Sequence, residues 1–347
     1  MAGKNYFEWL TEETASHWNN DSALLKDVEK AQTMGAIGCT TNPPLSYEAL
    51  TTEKEYYDEK LAQVSRANGK EDFAFHAMEL VVRRLSKHFL PLHKEKGGFY
   101  GCVRAQVAPN LRADAEGMLA KGKEISTWGE NVMVKIPGTK AGIWVLEELA
   151  ALGIPTNPTV VTTVAQAVAA AEAYEKGAAR AKAAGITPAW STAAVVMGRL
   201  QDYLVALNKE RNLGLQLEDL EWAALAVVKR ADKIFREKGY KTVLQPAAFR
   251  CAMQVEQISG GNFCSTIHPK IQKAVLEADA AGNMRREVLV DAPVNEEAVE
   301  RVAKAIPEFV LAYDPAALSI DEFDLYGANV MTLDGFDVSG WQKLVTL

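Results

Sequence analysis

The chain has 347 residues, of which 48% are hydrophobic and 24% charged, as is typical of a globular protein with a large buried core. Its net charge of −7 argues against nucleic acid as a partner, because phosphate backbones are bound by basic surfaces. No apolar run is long enough to span a membrane, and the first residues lack the apolar core of a signal peptide, so we expect a cytoplasmic protein.

The cysteines and histidines predict neither disulfide bonds nor a metal site. The four cysteines have no paired short spacing and are predicted to be reduced and mostly buried. His88 and His93 are separated by a proline and form no recognisable ligand motif. We therefore predict no metal and no cofactor.

The first 126 residues predict three strands separated by helices. The predicted strands are 17–22, 35–41 and 98–107, and the predicted helices are 4–16, 23–32, 46–66, 70–89 and one that ends near 126. The second strand must end at Asn42-Pro43-Pro44, because proline cannot continue a β-ladder and restricts the residue before it. Asp21 or Ser22 is placed to cap the helix 23–32, which is the purely structural interpretation of Asp21.

Residues 131–163 predict a strand–helix–strand unit in which one lysine interrupts an apolar run. Residues 132–136 suit a parallel strand buried on both faces, 143–152 a helix that stops at Gly153, and 154–161 the next strand. Lys135 lies inside the first strand, and an ammonium group is costly to bury. Lys135 is therefore paired with a carboxylate, extends to the strand end, or is an amine whose pKa burial lowers for attack on a carbonyl.

The remainder continues the alternation and ends in a less regular tail. The predicted elements are the helices 165–183, 198–209 and 217–237, the strands 189–197, 241–249 and 262–267, and in the tail the helices 296–311 and 338–346 around an acidic stretch, 314–329. Eight strands alternating with helices close most simply into a parallel barrel, since each crossover is right-handed. We predict an α/β fold, a (β/α)8 TIM barrel with additional helices, as a single domain 1–347. Residues from about 281 to 347 form a C-terminal helical extension packed on it.

Active sites of such barrels lie at the C-terminal ends of the strands, so the polar residues at those positions are the candidates. They are Asp21, Asn42, Gln106, Lys135, Asn157, Thr159, Ser191, Arg250 and His268. Each alone is better explained by a structural role, as a helix cap, a turn asparagine, a satisfied buried amide or a surface arginine. Independent caps would not explain a lone lysine among them.

Several segments, in order over residues 19–270, resemble the transaldolase family. Residues 40–44 (TTNPP) are similar to the family signature TTNPS, and 134–137 (VKIP), with Thr139 and Gly142, to the segment around its Schiff-base lysine. Further similar segments are 153–159 (GIPTNPT), Gly198-Arg199, Phe249-Arg250 and 265–269 (STIHP). One such motif is weak evidence, whereas the ordered set is specific.

The resemblance implies class I aldol chemistry without a metal. Lys135 is the implied Schiff-base residue and Asp21 the implied acid–base residue. Gln106 and Thr159 are the implied pair that holds a proton-relaying water. Asn42 and Asn157 are implied to bind hydroxyls of a dihydroxyacetone unit, and Arg199 and Arg250 the terminal phosphate. Thr41 and Ser191 are also expected to bind the substrate.

Three positions depart from the family pattern. Gln106 stands where transaldolases commonly have a glutamate, and Ala105-Gln106-Val107 is similar to the fructose 6-phosphate aldolase branch. Ala248 replaces a serine of the phosphate site. The serine-Pro-aromatic segment before Gly198 is missing, so that its serine corresponds to Ala194 or, with a short insertion, to Ser191.

The main hypothesis is a cytoplasmic transaldolase of the pentose phosphate pathway type. It would move a dihydroxyacetone unit from fructose 6-phosphate or sedoheptulose 7-phosphate to an aldose phosphate. One alternative is the same chemistry with release of free dihydroxyacetone, or with a ketose carrying a sulfonated or unphosphorylated tail. Another is a non-catalytic barrel that serves as a scaffold. Sugar phosphates are the expected partners, and a homodimer is possible.

Overall fold

A computed structural model describes residues 4–347 and shows a ring of eight parallel strands. The strands are β1 His17–Asn20, β2 Cys39–Thr40, β3 Val103–Gln106, β4 Val132–Pro137, β5 Thr156–Thr159, β6 Thr192–Val195, β7 Val243–Pro246 and β8 Cys264–Ile267. Strands β8, β1, β2, β3, β4 and β5 form one hydrogen-bonded sheet, and β6 pairs with β7. Parallel bridges between Val161 and Val195 and between Leu244 and Phe263 join the two sheets. The predicted barrel is therefore confirmed.

Sixteen α-helices surround the barrel and cover its ends. They are α1 Tyr6–Glu13, α2 Leu25–Gln32, α3 Pro43–Thr52, α4 Lys54–Ala62, α5 Lys70–Lys96, α6 Ala115–Ser126, α7 Lys140–Ala151, α8 Val164–Ala183, α9 Met197–Glu210, α10 Leu217–Lys238, α11 Ala252–Glu256, α12 Pro269–Ala280, α13 Glu296–Ala305, α14 Pro307–Tyr313, α15 Gly327–Phe336 and α16 Gln342–Val345, counted over residues 4–347. No helix in this part of the chain is both long and apolar enough to cross a membrane.

Two stretches that we predicted as single helices are each divided into two helices in the structure, so these two predictions were wrong. The helix predicted over 46–66 divides at Glu53, which has a non-helical backbone. The helix predicted over 296–311 divides at Ile306, because the following Pro307 disfavours a helical conformation there. Conversely, α5 continues through Pro91 to Lys96. The cysteine prediction is confirmed, since all four are free and three of them are buried.

The outward and inward faces of the strands differ in polarity. On β4, Val132, Val134 and Ile136 pack outward in a hydrophobic core shared with the surrounding helices. Alternate residues therefore point into the barrel, because successive side chains of a strand face opposite sides. The inward set is buried and mostly polar, and besides Met133 and Ala194 it includes Asn19, Thr40, Arg104, Gln106, Lys135, Asn157, Thr192, Gln245 and Thr266. A polar barrel interior places the candidate residues in one layer.

The C-terminal segment packs against the end of the barrel where the strands finish. Leu333 and Phe336 of α15 form a small apolar cluster with Val160, directly after β5. Trp341 Nε1 donates a hydrogen bond of 2.6 Å to Glu71 Oε2 on α5. The predicted irregular stretch 314–329 contains a 3₁₀ turn, Ile320–Leu325, and the start of α15.

Candidate active site

Lys135 projects from β4 into the barrel and is almost completely buried. Its side chain lies opposite Gln106 of β3 and Asn157 of β5 in the strand register. The residue is 5% exposed, and Nζ donates one hydrogen bond of 3.2 Å to the backbone carbonyl of Thr41. A primary amine held in this way keeps the rest of its hydrogen-bonding capacity for a ligand.

Burial sets the charge state of Lys135. It lowers the pKa of Lys135 from its ordinary value of 10.5 to about 8, while the nearby Asp21 carboxylate opposes this shift and Arg104 adds to it. Arg104 is fully buried, and its Nη1 donates to Asn19 Oδ1 at 2.7 Å. An appreciable fraction of the amine is therefore unprotonated near neutral pH, which is the form that attacks a carbonyl. Arg104 was not among the predicted site residues, although a charged residue within the predicted strand 98–107 indicated it.

The same shift predicts that Lys135→Met stabilises the protein at neutral pH. Well below pH 8 Lys135 is charged in both the folded and the unfolded protein, so the folded protein carries the full cost of burying the ammonium group. Between about pH 8 and 10.5 the unfolded chain binds the additional proton, so the wild type gains stability as pH rises. At ~1.4 kcal/mol per pH unit, we expect the variant to gain about 3 kcal/mol at pH 7 and nothing at pH 11.

Urea unfolding of both proteins at pH 7 and pH 11 measures this difference. A variant that is less stable than the wild type at pH 7 would show that hydrogen bonding of the ammonium outweighs its desolvation.

Asp21 follows β1 and is held by a chain of hydroxyl groups. Thr40 Oγ1 donates to Asp21 Oδ1 at 2.6 Å and lies 2.8 Å from Thr266 Oγ1. Because the single hydroxyl hydrogen of Thr40 goes to Asp21, Thr266 donates to Thr40. The structure does not support the capping role of Asp21, since α2 starts after Leu24 without a side-chain cap. The hydrogen bond from Thr40 thus orients the carboxylate of Asp21 toward the barrel interior.

The other candidate residues of the interior lie beside Lys135. Gln106 is 2% exposed, and its Oε1 has no hydrogen-bond partner. Thr159, at the end of β5, lies opposite Pro137. Asn157 Nδ2 donates to Thr192 and Gln245, and Thr41 Oγ1 donates to the carbonyl of Arg104. The barrel thus brings Gln106, Asn157 and Thr41 next to Lys135, while Thr159 lies two residues closer to the C-terminal end of β5 than Asn157.

Above this layer, a cavity of about 370 Å³ opens between the strand ends. It is lined by Asp21, Asn42, Pro44, Leu45, Arg199, Ala248, Phe249, Arg250, His268, Lys270, Ile271 and Phe336. Asn42 uses Oδ1 to cap α3, accepting from Leu45 N at 2.9 Å, so its Nδ2 is the group left for a ligand. The cavity is large enough for a small sugar and carries cationic groups at its outer end.

The cationic end combines Arg199 and Arg250 with an acidic partner that we had not predicted. Asp202 receives hydrogen bonds from Arg250 Nε at 2.9 Å and Nη2 at 2.5 Å, and lies 3.8 Å from Arg199 Nη1. Burial, together with the adjacent Arg250, lowers the pKa of Arg199 from its ordinary value. Asp202 orients the Arg250 guanidinium through these two hydrogen bonds. Arg199 is less tightly paired with Asp202 than Arg250 is. The sequence did contain a sign of this ion pair, because Arg199 and Asp202 are three residues apart on a predicted helix and such residues are neighbours on its surface.

Ser191 is the one candidate that the structure does not bring to this site. It precedes β6, forms a bridge with Thr156 at the start of β5, and accepts a hydrogen bond of 3.0 Å from Thr156 Oγ1. The strands finish at Thr159 and Val195, so Ser191 is buried near the opposite end of the barrel. Its position therefore does not support the prediction that Ser191 binds the substrate, because the strand register sets how deep each residue lies in the barrel.

Gly340→Ala tests whether the C-terminal segment shapes the cavity. A Cβ at Gly340 would overlap the backbone of Pro43 and Pro44, whereas a Cβ at Gly335 meets nothing within 4 Å. We expect the variant to displace α15 and Phe336, lowering the free energy of unfolding by about 1–3 kcal/mol. The KM for a substrate should rise at the same time. Gly335→Ala is the matched control and should be neutral or slightly stabilising. Equal melting temperatures and KM values for both variants would contradict this.

Comparison with known proteins gives one family and several relatives. The model of the Transaldolase/Fructose-6-phosphate aldolase family matches residues 19–319. A transaldolase of Thiobacillus denitrificans is 29% identical over 226 residues, which cover 62% of this chain and 61% of the relative. Transaldolase 1 of Streptomyces avermitilis is 32% identical over 52% of this chain and 49% of the relative. Transaldolase 1 of Streptomyces coelicolor is 26% identical over 90% and 89%.

The matched part thus spans about half to three fifths of the first two relatives, and most of the third. All three alignments describe similarity of sequence.

Proposed function

Because the chain belongs to the transaldolase and fructose-6-phosphate aldolase family, we propose that it cleaves a ketose phosphate through a Schiff base on Lys135. The dihydroxyacetone unit then passes to an aldose phosphate. The observation that carries this proposal is the buried Lys135 amine, whose pKa burial lowers to about 8, at the C-terminal end of a barrel strand.

In the proposed mechanism the Lys135 amine attacks the ketose carbonyl and water is expelled to give an iminium ion. Asp21 accepts the proton of the hydroxyl on C4, and the C3–C4 bond breaks. The bonding electrons move into the iminium, which becomes an enamine, and the aldose phosphate leaves. The enamine then attacks the acceptor aldehyde, and hydrolysis of the new iminium frees the amine. Gln106 and Thr159 hold the water that is released and consumed.

Gln106 favours a second candidate outcome, in which free dihydroxyacetone is released. Its unpartnered Oε1 lies on the strand beside Lys135 and can orient a water molecule, but an amide does not supply a proton. Hydrolysis of the enamine-derived iminium by that water would make the enzyme an aldolase. Ala248 stands where the family pattern has a serine that donates to the phosphate. The loss of this donor favours a ketose whose tail is not a phosphate as a further alternative.

Borohydride trapping tests the proposal. The protein is incubated with fructose 6-phosphate, reduced, digested and mapped by mass spectrometry. We expect a reduced adduct on the peptide that contains Lys135. Free dihydroxyacetone formed without an acceptor would indicate the aldolase outcome, and a strict acceptor requirement the transferase. Absence of an adduct with phosphorylated, sulfonated and unphosphorylated ketoses alike would overturn the proposal and favour a scaffold.

Arg199→Met tests the assignment of the cationic end to a phosphate. A hydrogen bond to a charged group contributes about 1.5–3 kcal/mol, so the KM for fructose 6-phosphate should rise about 10- to 100-fold. The kcat/KM for unphosphorylated fructose should stay within about twofold, since that substrate lacks the anion. Equal losses for both sugars would show that Arg199 holds the fold and not the phosphate.

A further inference from the structure

Three amide side chains in the barrel interior each have a buried polar atom without a hydrogen-bond partner, as does Arg104 at Nε. The three amide atoms are Gln106 Oε1, Asn157 Oδ1 and Gln245 Nε2. All three residues are at most 2% exposed. Buried polar groups are nearly always paired in proteins, so three unpaired atoms around one reactive amine indicate that a ligand supplies their partners.

The orientation of both amides follows from a single backbone carbonyl. Asn157 Nδ2 faces the carbonyl oxygen of Thr192, which can only accept, so Asn157 Oδ1 must point the other way. The same Nδ2 donates to Gln245 Oε1 at 2.9 Å, and Thr192 Oγ1 donates to that oxygen at 3.1 Å. Gln245 therefore turns its oxygen toward Asn157 and leaves Nε2 free.

The three residues belong to the same interior layer as Lys135. Gln106 and Asn157 lie on the two strands that flank β4, each opposite Lys135. Gln245 on β7 contacts Asn157 across the intervening strand β6, so its side chain lies in the same interior layer. A hydroxyl group has one hydrogen to donate and two lone pairs to accept with, so a single substrate hydroxyl can donate to one of the two acceptors while it accepts from Gln245 Nε2. The second acceptor requires another hydroxyl group or a water molecule.

We propose that Gln245 is a substrate-binding residue whose Nε2 donates a hydrogen bond to a hydroxyl oxygen of the three-carbon unit held on Lys135. This assignment rests on the proposed function and deepens it by adding a selectivity element. A ketose that lacks this hydroxyl leaves the buried N–H unpaired and is rejected, as in other sites built around a substrate hydroxyl.

The experiment compares fructose 6-phosphate with its 1-deoxy and 3-deoxy analogues in wild type and Gln245→Met. Methionine matches the length of glutamine and lacks both polar atoms. We expect the kcat/KM of the variant for fructose 6-phosphate to fall about 10- to 100-fold. The value for one of the deoxy analogues should stay within about threefold, so that discrimination against it collapses. Equal losses for all three sugars would overturn the assignment and indicate a structural role.

Two further variants separate binding from folding. Gln245→Glu keeps an oxygen for Asn157 but lacks the donor, and should lose the same discrimination even if Gln245→Met folds poorly. Thr192→Val removes the neighbouring hydroxyl and keeps the donor, so its discrimination should match that of the wild type.

Adduct trapping and substrate selectivity together distinguish a failure of the proposed function from a failure of the Gln245 assignment. Wild-type protein that forms no trapped adduct with phosphorylated, sulfonated or unphosphorylated ketoses overturns both. A wild-type adduct together with unchanged selectivity in Gln245→Met and Gln245→Glu overturns only the role of Gln245.

Discussion

Replacing Lys135 with methionine should abolish turnover, with kcat falling by about 10⁴-fold or more and no adduct trapped by borohydride. Methionine fills a similar volume but has no amine, so neither the iminium nor the enamine can form. Loss of a covalent nucleophile is among the most severe single changes in an enzyme, because every later step depends on it. The melting temperature should not fall, since the buried ammonium is itself a cost to the fold.

Lys229 provides a matched control for this variant. It is a second lysine whose pKa burial lowers to about 8, but it lies on α10, where Nζ donates to the carbonyls of Leu289 and Ala292. Lys229→Met should retain adduct formation on Lys135 and nearly full activity. An adduct on Lys229 in the wild type, or full activity in Lys135→Met, would refute the assignment of the nucleophile.

The second large effect is expected for Asp21→Asn, which should separate Schiff-base formation from turnover. An asparagine accepts no proton from the C4 hydroxyl, so kcat should fall about 10²- to 10⁴-fold. The Asp21 carboxylate raises the pKa of Lys135, and its removal should lower that pKa further below about 8. Adduct formation at pH 6–7 should therefore become faster while turnover almost stops.

Rates of trapping and of turnover measured from pH 6 to pH 9 provide the two profiles. Asp27→Asn is the control, because Asp27 belongs to the same segment and accepts a hydrogen bond of 2.8 Å from Ser22 Oγ away from the amine. If both variants slowed trapping and turnover equally, Asp21 would have a structural role only.

Much of the fold could be predicted from local patterns. The eight strands, the buried lysine and the proline-terminated second strand depend on neighbouring residues, and all are present in the structure. The ends of the elements were less predictable. The hydrophobic periodicity predicted one helix over 296–311, but the structure has two helices that meet at Pro307, whereas Pro91 lies within one continuous helix. Proline has either effect depending on whether the packed helix can tolerate the lost hydrogen bond.

The sequence by itself determined the order of strands and helices, and it placed Lys135 and Asp21 at strand ends. Both depend on alternation along the chain, which is a local property. Only the tertiary structure decided which residues share a layer. Ser191 lies deep because Thr156 is its register partner, and Asp202 reaches Arg250 from another element. Gln245 faces Asn157 across a third strand. Such neighbours are set by the stagger of strands around a closed barrel, which no single segment specifies.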